Sequence, residues 1–358
     1  MEKRNLIHIE CIRILSAYFV IFNHTGEEGF FLFANFGKGS LHYWIYMLIT
    51  VLCKISVPLF LMIAGALLLK KDISLKNLWM KKILRMILVL LIFSFIMYLV
   101  LARQNTEFKL TFGDFLKRLY MGKISVPYWY LYAYIAFLVS VPFLRAIVKA
   151  LSEDKYKYLI ILGIVFIGIL PCVEYRLFQG EVYLNSDIKP GWLLTNIVLW
   201  PLTGYYLEHI YNLKKNINRK IGMWVLISIV GIGVSCYMTY YMHNITGECS
   251  EANSQAFLGS FIIFPCITIY IGMKYICQRY HLRESIKNII SSIGSCTFGI
   301  YLLHIIIKNY IGGVLNVLVL EWKLNSMIAV LLYCLIIFFI SYVVSLILKR
   351  IPGIKKLL

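Results

Sequence analysis

Of the 358 residues in this chain, 60% are hydrophobic and 15% are charged, whereas soluble domains carry roughly 45–50% apolar residues. This composition excludes a soluble enzyme and predicts an integral membrane protein. The net charge of +19 would suggest nucleic-acid binding in a soluble protein, but Lys and Arg collect in the cytoplasmic loops of membrane proteins and make such chains basic. We therefore expect no nucleic-acid partner.

Apolar runs of membrane-spanning length recur from one end of the chain to the other. A transmembrane helix needs ~20 predominantly apolar residues. Ten segments meet this requirement, over the approximate ranges 6–25, 42–69, 82–102, 127–148, 157–174, 191–210, 221–242, 255–277, 292–317 and 327–348. The second segment carries Lys54 and Pro58 in the stretch KISVP, where we expect a tilt or kink. The sequence thus predicts an all-α polytopic membrane protein, a bundle of about ten transmembrane helices in a single domain over residues 1–358.

The distribution of Lys and Arg predicts the orientation of the bundle. With the N-terminus placed in the cytoplasm, the cytoplasmic segments hold 23 Lys and Arg residues and the outer segments hold 10. Because cytoplasmic loops are the basic ones, both termini are predicted to be cytoplasmic. The outer segment 103–126 is basic nonetheless and contains the amphipathic stretch FGDFLKRLYMGK. Two interpretations of it stay open: it lies in the membrane interface, or it faces an anionic partner.

Three further patterns have structural interpretations. The first apolar run ends without a cleavage site of small residues, so we expect a retained helix and not a signal peptide. The nine cysteines are scattered, without a CxxC pair or the His and Cys spacing of a metal site, so we expect no metal. The aromatic run VPYWYLYAYIAF at 126–137 is interpreted as an interfacial belt, and sugar stacking is the alternative.

The first helix carries ionisable residues that are costly inside a membrane. Arg13 and His24 are 11 residues apart in CIRILSAYFVIFNH, which is about 16 Å along a helix and within roughly 20° of one face. Glu10 precedes Arg13 by three residues and can pair with it. One interpretation is a snorkelling Glu10–Arg13 pair and an interfacial histidine. The other is a stripe for a ligand with an anionic head and a long arm, such as acyl-coenzyme A, which loads from the cytoplasm and reacts outside.

The third predicted helix opens with KKILRMI and adds cations on the cytoplasmic side. Lys82 and Arg85 are three residues apart and share a face, and Arg85 is about one turn inside the span. Ordinary positive-inside flanking explains Lys81 well, but it explains the deeper Arg85 less well. Because Arg is suited to phosphate recognition, Lys82 and Arg85 are candidates to bind the anionic head of the ligand.

Five segments, in order along the chain, resemble the acyltransferase-3 family of integral-membrane acyltransferases. IECIRILSAYFVIFNH is similar to the first-helix signature of that family, and KKILR is similar to its basic Arg-x-x-Arg element. SVPLFLMIAGALLL, WYLYAYIAFLVSVPFLRAI and TFGIYLLHIIIKN resemble three further family segments. Ala64 and Ala66 stand where the family usually has Ser and Tyr, so no role of that Ser or Tyr carries over to this chain.

The resemblance implies a ten-helix bundle that moves an acyl group across the membrane. The usual donor is acetyl-CoA, and the usual acceptor is a hydroxyl of an extracytoplasmic glycan. Arg13, Lys82 and Arg85 would then hold the CoA phosphates or line the path of the donor. His24 would be the catalytic histidine, and Glu10 of the same signature is grouped with it as a candidate catalytic residue.

Two residues of the ninth predicted helix belong to the candidate site on the same grounds. His304 lies at a depth comparable to that of His24, and Tyr301 lies one turn below it on the same face. They are either acceptor-side residues or a hydrogen-bonded pair that ties helices together. In a direct transfer His24 is the general base for the hydroxyl, which neutral histidine suits near pH 7. In a two-step transfer it is the nucleophile and forms an acyl-histidine.

Several functions are consistent with the sequence. The leading hypothesis is a plasma-membrane O-acyltransferase that modifies a cell-surface polysaccharide or its lipid-linked precursor, with acyl-CoA, a glycan and the lipid bilayer as partners. Acetyl is the default acyl group, and succinyl is an alternative. Intramembrane Arg and His would also serve a transporter of a polar metabolite or glycan. A membrane assembly partner with vestigial residues is the third hypothesis.

Overall fold

The structure is a computed structural model that describes residues 6–104, 108–212, 216–247, 257–280 and 282–358. Within these ranges the regular elements are all helical, so the predicted all-α class is confirmed. The helices are α1 (Ile7–Asn23), α2 (Leu41–Cys53), α3 (Ser56–Leu68), α4 (Leu75–Gln104), α5 (Phe112–Tyr120), α6 (Trp129–Ala150), α7 (Glu153–Phe178), α8 (Leu199–His209), α9 (Ile217–Thr246), α10 (Ile263–Arg279), α11 (Glu284–Tyr310), α12 (Gly313–Asn316), α13 (Ser326–Leu348) and α14 (Pro352–Lys355).

Seven helical segments in the described ranges are long and apolar enough to cross a membrane. They are α2 and α3 taken together, α4, α6 with the turn before it, α7, α9, α11 and α13. The other three predicted segments form shorter helices, with 17 residues in α1, 11 in α8 and 17 in α10. The predicted count of about ten spans is therefore not confirmed, and it stays a prediction together with the orientation. In place of the first part of the predicted helix 191–210, residues 191–198 form turns.

A break separates α2 from α3 at the place where the sequence predicts a kink. Pro58 has no backbone N–H and its ring crowds the carbonyl group four residues earlier, which belongs to Lys54. The side-chain amide of Asn23 donates to the carbonyl oxygen of Cys53 and to Oγ of Ser56, both at 3.0 Å. This contact satisfies a backbone group at the break and joins it to the end of α1.

α1 lies at the centre of the bundle although it is a short helix. It packs against α2, α3, α10, α11 and α13. Side chains on several of its faces are buried, among them Ile9, Ile12, Val20 and Phe22. A helix that is apolar all round is a buried helix. The ionisable residues of α1 are therefore inside the bundle and not on its lipid-facing surface.

α3 and α8 approach each other closely through two glycines. A Cβ added to Gly65 would lie 2.0 Å from the carbonyl oxygen of Pro201, and one added to Gly204 would lie 2.0 Å from that of Met62. Small residues allow membrane helices to pack backbone against backbone. This pairing fixes α3, which forms one wall of the candidate site.

The basic outer segment contains α5, and residues 105–107 of that segment lie outside the described ranges. Phe115 is buried against Phe95 and Tyr98, with ring centroids 5.3 and 5.5 Å away. Phe112 and Tyr120 point outward and are exposed. The two interpretations of this segment, a helix in the interface or a surface for an anionic partner, both stay predictions.

Candidate active site

Four cationic side chains meet at one cavity of about 400 Å³. The cavity lies between α1, α3, α4, α6 and α11. Its basic lining residues are Arg13, Lys71, Lys82 and Arg85, and its aromatic lining residues are Phe60, Tyr130, Tyr134, Phe298 and Tyr301. The structure thus brings together Arg13, Lys82 and Arg85, the three residues that were predicted to bind the donor. A concave site with this volume and this charge suits an anionic ligand.

Glu10 holds Arg13 at the edge of this cavity. Nη1 of Arg13 donates to Oε1 of Glu10 at 2.8 Å. The other carboxylate oxygen of Glu10 is buried, has no hydrogen-bond partner among the described residues, and packs against Gly294 of α11. Glu10 and His24 are 14 residues apart on one helix, which is about 21 Å. The geometry therefore groups Glu10 with the cavity and not with His24, and Glu10 orients the Arg13 side chain there.

Arg85 is held by the segment that follows α13. Its Nε and Nη2 atoms donate to the carbonyl oxygen of Leu357 at 3.1 and 2.9 Å. Its guanidinium carbon lies 6.0 Å from the ring centroid of Phe298. Leu358 also lines the cavity. A neutral carbonyl is a weaker partner for guanidinium than a phosphate oxygen, so an anionic ligand would compete for this contact.

His24 and His304 form a contact between α1 and α11. Nδ1 of His24 lies 3.3 Å from Nε2 of His304, and the ring centroids are 5.2 Å apart. The last turn of α1 tightens, since the backbone N–H of His24 donates to the carbonyl oxygen of Ile21. The backbone carbonyl oxygen of Val20 is therefore available to accept a hydrogen bond from the ring of His24. His304 is fully buried, whereas His24 is partly exposed.

The hydrogen-bond partners determine the tautomer of both rings. Nδ1 of His24 lies 2.7 Å from the carbonyl oxygen of Val20, and Nδ1 of His304 lies 2.6 Å from that of Tyr301. Because a carbonyl oxygen only accepts, each Nδ1 carries the proton of its neutral ring and donates. Nε2 of His304 is then an acceptor for Nδ1–H of His24. Nε2 of His24 keeps a lone pair, with no hydrogen-bond partner among the described residues, and is available to take a proton.

Residues 6–346 match the acyltransferase-3 family model, which is described as an acyltransferase domain. The chain belongs to the acyltransferase-3 family. No curated protein and no solved structure matches the chain. The match covers nearly the whole chain, so the predicted family is confirmed. Family and helices together identify a multi-pass membrane protein of the acyltransferase class.

Tyr301 connects the cavity and the histidine pair, the two parts of the candidate site. Its ring lines the cavity and lies 5.9 Å, centroid to centroid, from the ring of His304. Its hydroxyl donates to the carbonyl oxygen of Pro127, which precedes α6. Because this hydroxyl is already used between two helices, the geometry favours the structural interpretation of Tyr301. Its ring forms the end of the cavity nearest to the histidine pair.

Sequence reasoning missed several residues of the candidate site. Lys71 follows α3 and lines the cavity as a fourth cation. Tyr130 and Tyr134 also line it, with ring centroids 5.9 Å apart, although their run was interpreted as an interfacial belt. Their spacing of four residues places them on one helix face and is the signal that could have found them. Lys308 lies four residues after His304, and its Nζ contacts the backbone carbonyl oxygen of His24.

Ala64 and Ala66, interpreted from the sequence as departures from the family pattern, have different surroundings. Ala64 lines the cavity. Ala66 is buried, and its carbonyl oxygen accepts from Nε2 of His209 at 2.8 Å. A methyl group at Ala64 supplies no hydrogen bond, so cations and backbone groups provide the polar contacts on this side of the cavity.

Proposed function

We propose that this protein is an O-acyltransferase of the plasma membrane. It takes an acyl group, acetyl by default, from cytoplasmic acyl-CoA and transfers it to a hydroxyl of an extracytoplasmic cell-surface polysaccharide or of its lipid-linked precursor. One observation carries the proposal: Arg13, in a cavity with three further cations, and His24, with a free ring nitrogen, lie 11 residues apart along α1, which is about 16 Å. A donor with an anionic head and a long arm matches this separation.

The anionic head of the donor binds in the cavity. Coenzyme A carries phosphates, and Arg13 and Arg85 offer planar groups with several N–H donors each. Lys71 and Lys82 add two ammonium groups to the same lining. Charge-assisted hydrogen bonds of this kind are the strong ones, and they are strengthened where water is partly excluded. The aromatic wall supplies apolar contact for the rest of the donor.

The acyl group reacts at His24. Nε2 of His24 removes the proton of the acceptor hydroxyl, and the hydroxyl oxygen attacks the thioester carbonyl carbon. The tetrahedral intermediate collapses with cleavage of the C–S bond, and the departing thiolate of CoA takes the proton back from His24. Nδ1–H of His24 faces Nε2 of His304, which holds the ring and stabilises it while it is protonated. His304 is therefore a positioning residue in this direct transfer.

The proposal is tested with purified protein and acetyl-CoA. We expect binding of acetyl-CoA by calorimetry, and release of free CoA thiol that requires a hydroxyl acceptor and is lost in His24→Gln. The His24→Gln variant should still bind acetyl-CoA, because position 24 lies outside the cavity lining. Absence of binding for every acyl-CoA would overturn the proposal. Uptake of a polar solute into vesicles without thiol release would instead support the transporter.

A further inference from the structure

Lys308 is placed against the end of α1 by the same helix that carries His304. The two residues are one turn apart on α11 and share a face. Nζ of Lys308 donates to the backbone carbonyl oxygen of His24, and the backbone carbonyl of Lys308 accepts from the hydroxyl of Tyr333 at 3.3 Å. The ammonium group is thus held beside the histidine whose Nε2 is free.

The surroundings of this ammonium group are unusual for a charged side chain near lipid. Lys308 is partly buried, and no carboxylate of the described residues lies within 4.0 Å of it. The carbonyl of His24 is its one hydrogen-bond acceptor among those residues, so two N–H donors remain. The Glu28 carboxylate attracts Lys308 from beyond 4.0 Å, so no close ion pair offsets the solvation free energy that this partly buried cation loses. In membrane proteins such a group marks a functional site.

We propose that Lys308 is a catalytic residue that stabilises the oxyanion of the transferred acyl group. This inference rests on the proposed acyl transfer. When the acceptor oxygen bonds to the thioester carbon, the C=O π pair moves onto oxygen and leaves a negative charge beside His24. The free N–H donors of Lys308 bind that oxygen. When the C–S bond breaks, the carbonyl re-forms and the pair leaves with sulfur, so Lys308 neither gains nor loses a proton.

The position of Lys308 suits this role better than those of the cavity cations. Arg13 is about 16 Å from His24 along α1, whereas Nζ of Lys308 contacts the backbone carbonyl oxygen of His24 itself. Lys54 is the other cation of this region, and its Nζ lies 4.8 Å from the ring centroid of Phe30. Glu28 is an exposed carboxylate on the same side. An ammonium group fixed at the base can act on the same substrate atoms as the base.

The competing explanation is structural. Cations are favourable at the C-terminal end of a helix, because its last carbonyl groups are unpaired and its dipole is negative there. Lys308 would then hold α1 and α11 together without touching substrate. A residue with only this role changes stability and leaves the turnover number unchanged.

The experiment compares Lys308→Gln and Lys308→Arg with the unchanged protein and with Tyr333→Phe. Gln keeps an N–H donor for the carbonyl of His24 and removes the charge, whereas Tyr333→Phe removes the hydrogen bond to Lys308 and keeps the ammonium group. We expect kcat of Lys308→Gln to fall about 10²–10³-fold, which is the usual effect of losing one oxyanion donor. The Kd of acetyl-CoA should stay within about threefold, since Lys308 is not in the cavity lining. Lys308→Arg should retain more activity than Lys308→Gln, and Tyr333→Phe should stay near the unchanged kcat.

A second readout separates charge from packing. In Lys308→Ala, added ethylammonium should restore part of kcat in a saturable way, and uncharged propane of similar size should not. A kcat of Lys308→Gln within threefold of the unchanged protein, or no rescue of Lys308→Ala, would overturn the assignment of Lys308. If the unchanged protein releases no CoA thiol, the proposed acyl transfer itself fails. If the unchanged protein releases CoA thiol and the Lys308 variants keep its kcat, the proposed acyl transfer stands and the role of Lys308 fails.

Discussion

Nδ1 of His24 lies 3.3 Å from Nε2 of His304, although the two residues are 280 positions apart in the chain. Each ring is also bound to a backbone carbonyl of its own helix. The pair therefore depends on how α1 and α11 pack, and not on any loop. The ring of His24 at the end of α1 is oriented by α11, and rigid elements hold such geometry better than loops do.

The two histidines should differ in their contribution to turnover. We expect His24→Gln to lower kcat by 10²–10⁴-fold, the usual contribution of a general base. His304→Gln should have a smaller effect, since it removes only the more distant acceptor of Nδ1–H of His24, at 3.3 Å, and leaves the carbonyl oxygen of Val20 at 2.7 Å. The measurement is release of CoA thiol at saturating acetyl-CoA. An acetyl group that stays bound to the unchanged protein in the absence of acceptor would contradict direct transfer and favour an acyl-histidine.

Arg85 and Lys81 lie four residues apart on α4 and form a matched pair for testing whether the cavity binds acetyl-CoA. Arg85 lines the cavity, whereas Lys81 is exposed and is not part of its lining. Arg85→Gln should weaken acetyl-CoA binding by about 10–100-fold, because a charge-assisted hydrogen bond contributes roughly 1.5–3 kcal/mol. Lys81→Gln should leave Kd within twofold. Calorimetric titration checks both variants, and an equal loss in both would mean that only the general positive charge matters.

A substitution at Gly294 tests whether Glu10 positions Arg13 for binding of acetyl-CoA. A Cβ at position 294 would lie 2.2 Å from Oε2 and 2.8 Å from Cβ of Glu10, so Gly294→Ala must displace Glu10. Because Glu10 holds Arg13, we expect acetyl-CoA affinity to fall about threefold to tenfold. Gly272→Ala on α10 is the control, since a Cβ there meets nothing within 4 Å. Unchanged affinity in Gly294→Ala would remove Glu10 from the account of donor binding.

The close contact of α3 and α8 makes a prediction about stability. A Cβ on Gly204 would meet backbone atoms of Met62 at 2.0–2.5 Å, and backbone cannot yield as a side chain can. Overpacking of this kind costs about 1–3 kcal/mol, so Gly204→Ala should lower the midpoint of thermal unfolding in detergent. Gly233→Ala on α9 has open space and should leave the midpoint unchanged or raise it, since Ala favours helix over Gly.

Reporter proteins fused to the chain test the predicted orientation of the helices in the membrane. The excess of Lys and Arg in alternate loops predicts that residue 358 lies in the cytoplasm. A fluorescent protein fused after Leu358 should therefore fluoresce, and a phosphatase fused there, which needs an oxidising exterior, should be inactive. The reverse pair of results would place the donor cavity on the outer side, where cytoplasmic acyl-CoA cannot reach it.

The fold class and several of the site residues could be read from the sequence. Long apolar runs have to be helical in lipid, because a helix satisfies its own backbone hydrogen bonds. The positions of Glu10, Arg13 and His24 on one helix follow from their spacing, and so does the shared face of Lys82 and Arg85. The break in the second predicted helix follows from the covalent structure of proline.

The tertiary structure decided which of these residues meet. The family resemblance grouped Glu10 with His24 as a candidate catalytic residue, whereas in the structure Glu10 binds Arg13, as their spacing predicted, and packs against Gly294 of α11. Tyr130 and Tyr134 line the cavity instead of forming a belt. Helix rotation and contact between distant helices depend on small residues and side-chain fit, which a hydropathy pattern does not encode. The sequence by itself therefore determined an all-helical membrane acyltransferase with candidate groups on α1, α4 and α11. Packing determined the cavity, the His24–His304 pair and the ammonium group of Lys308 beside it.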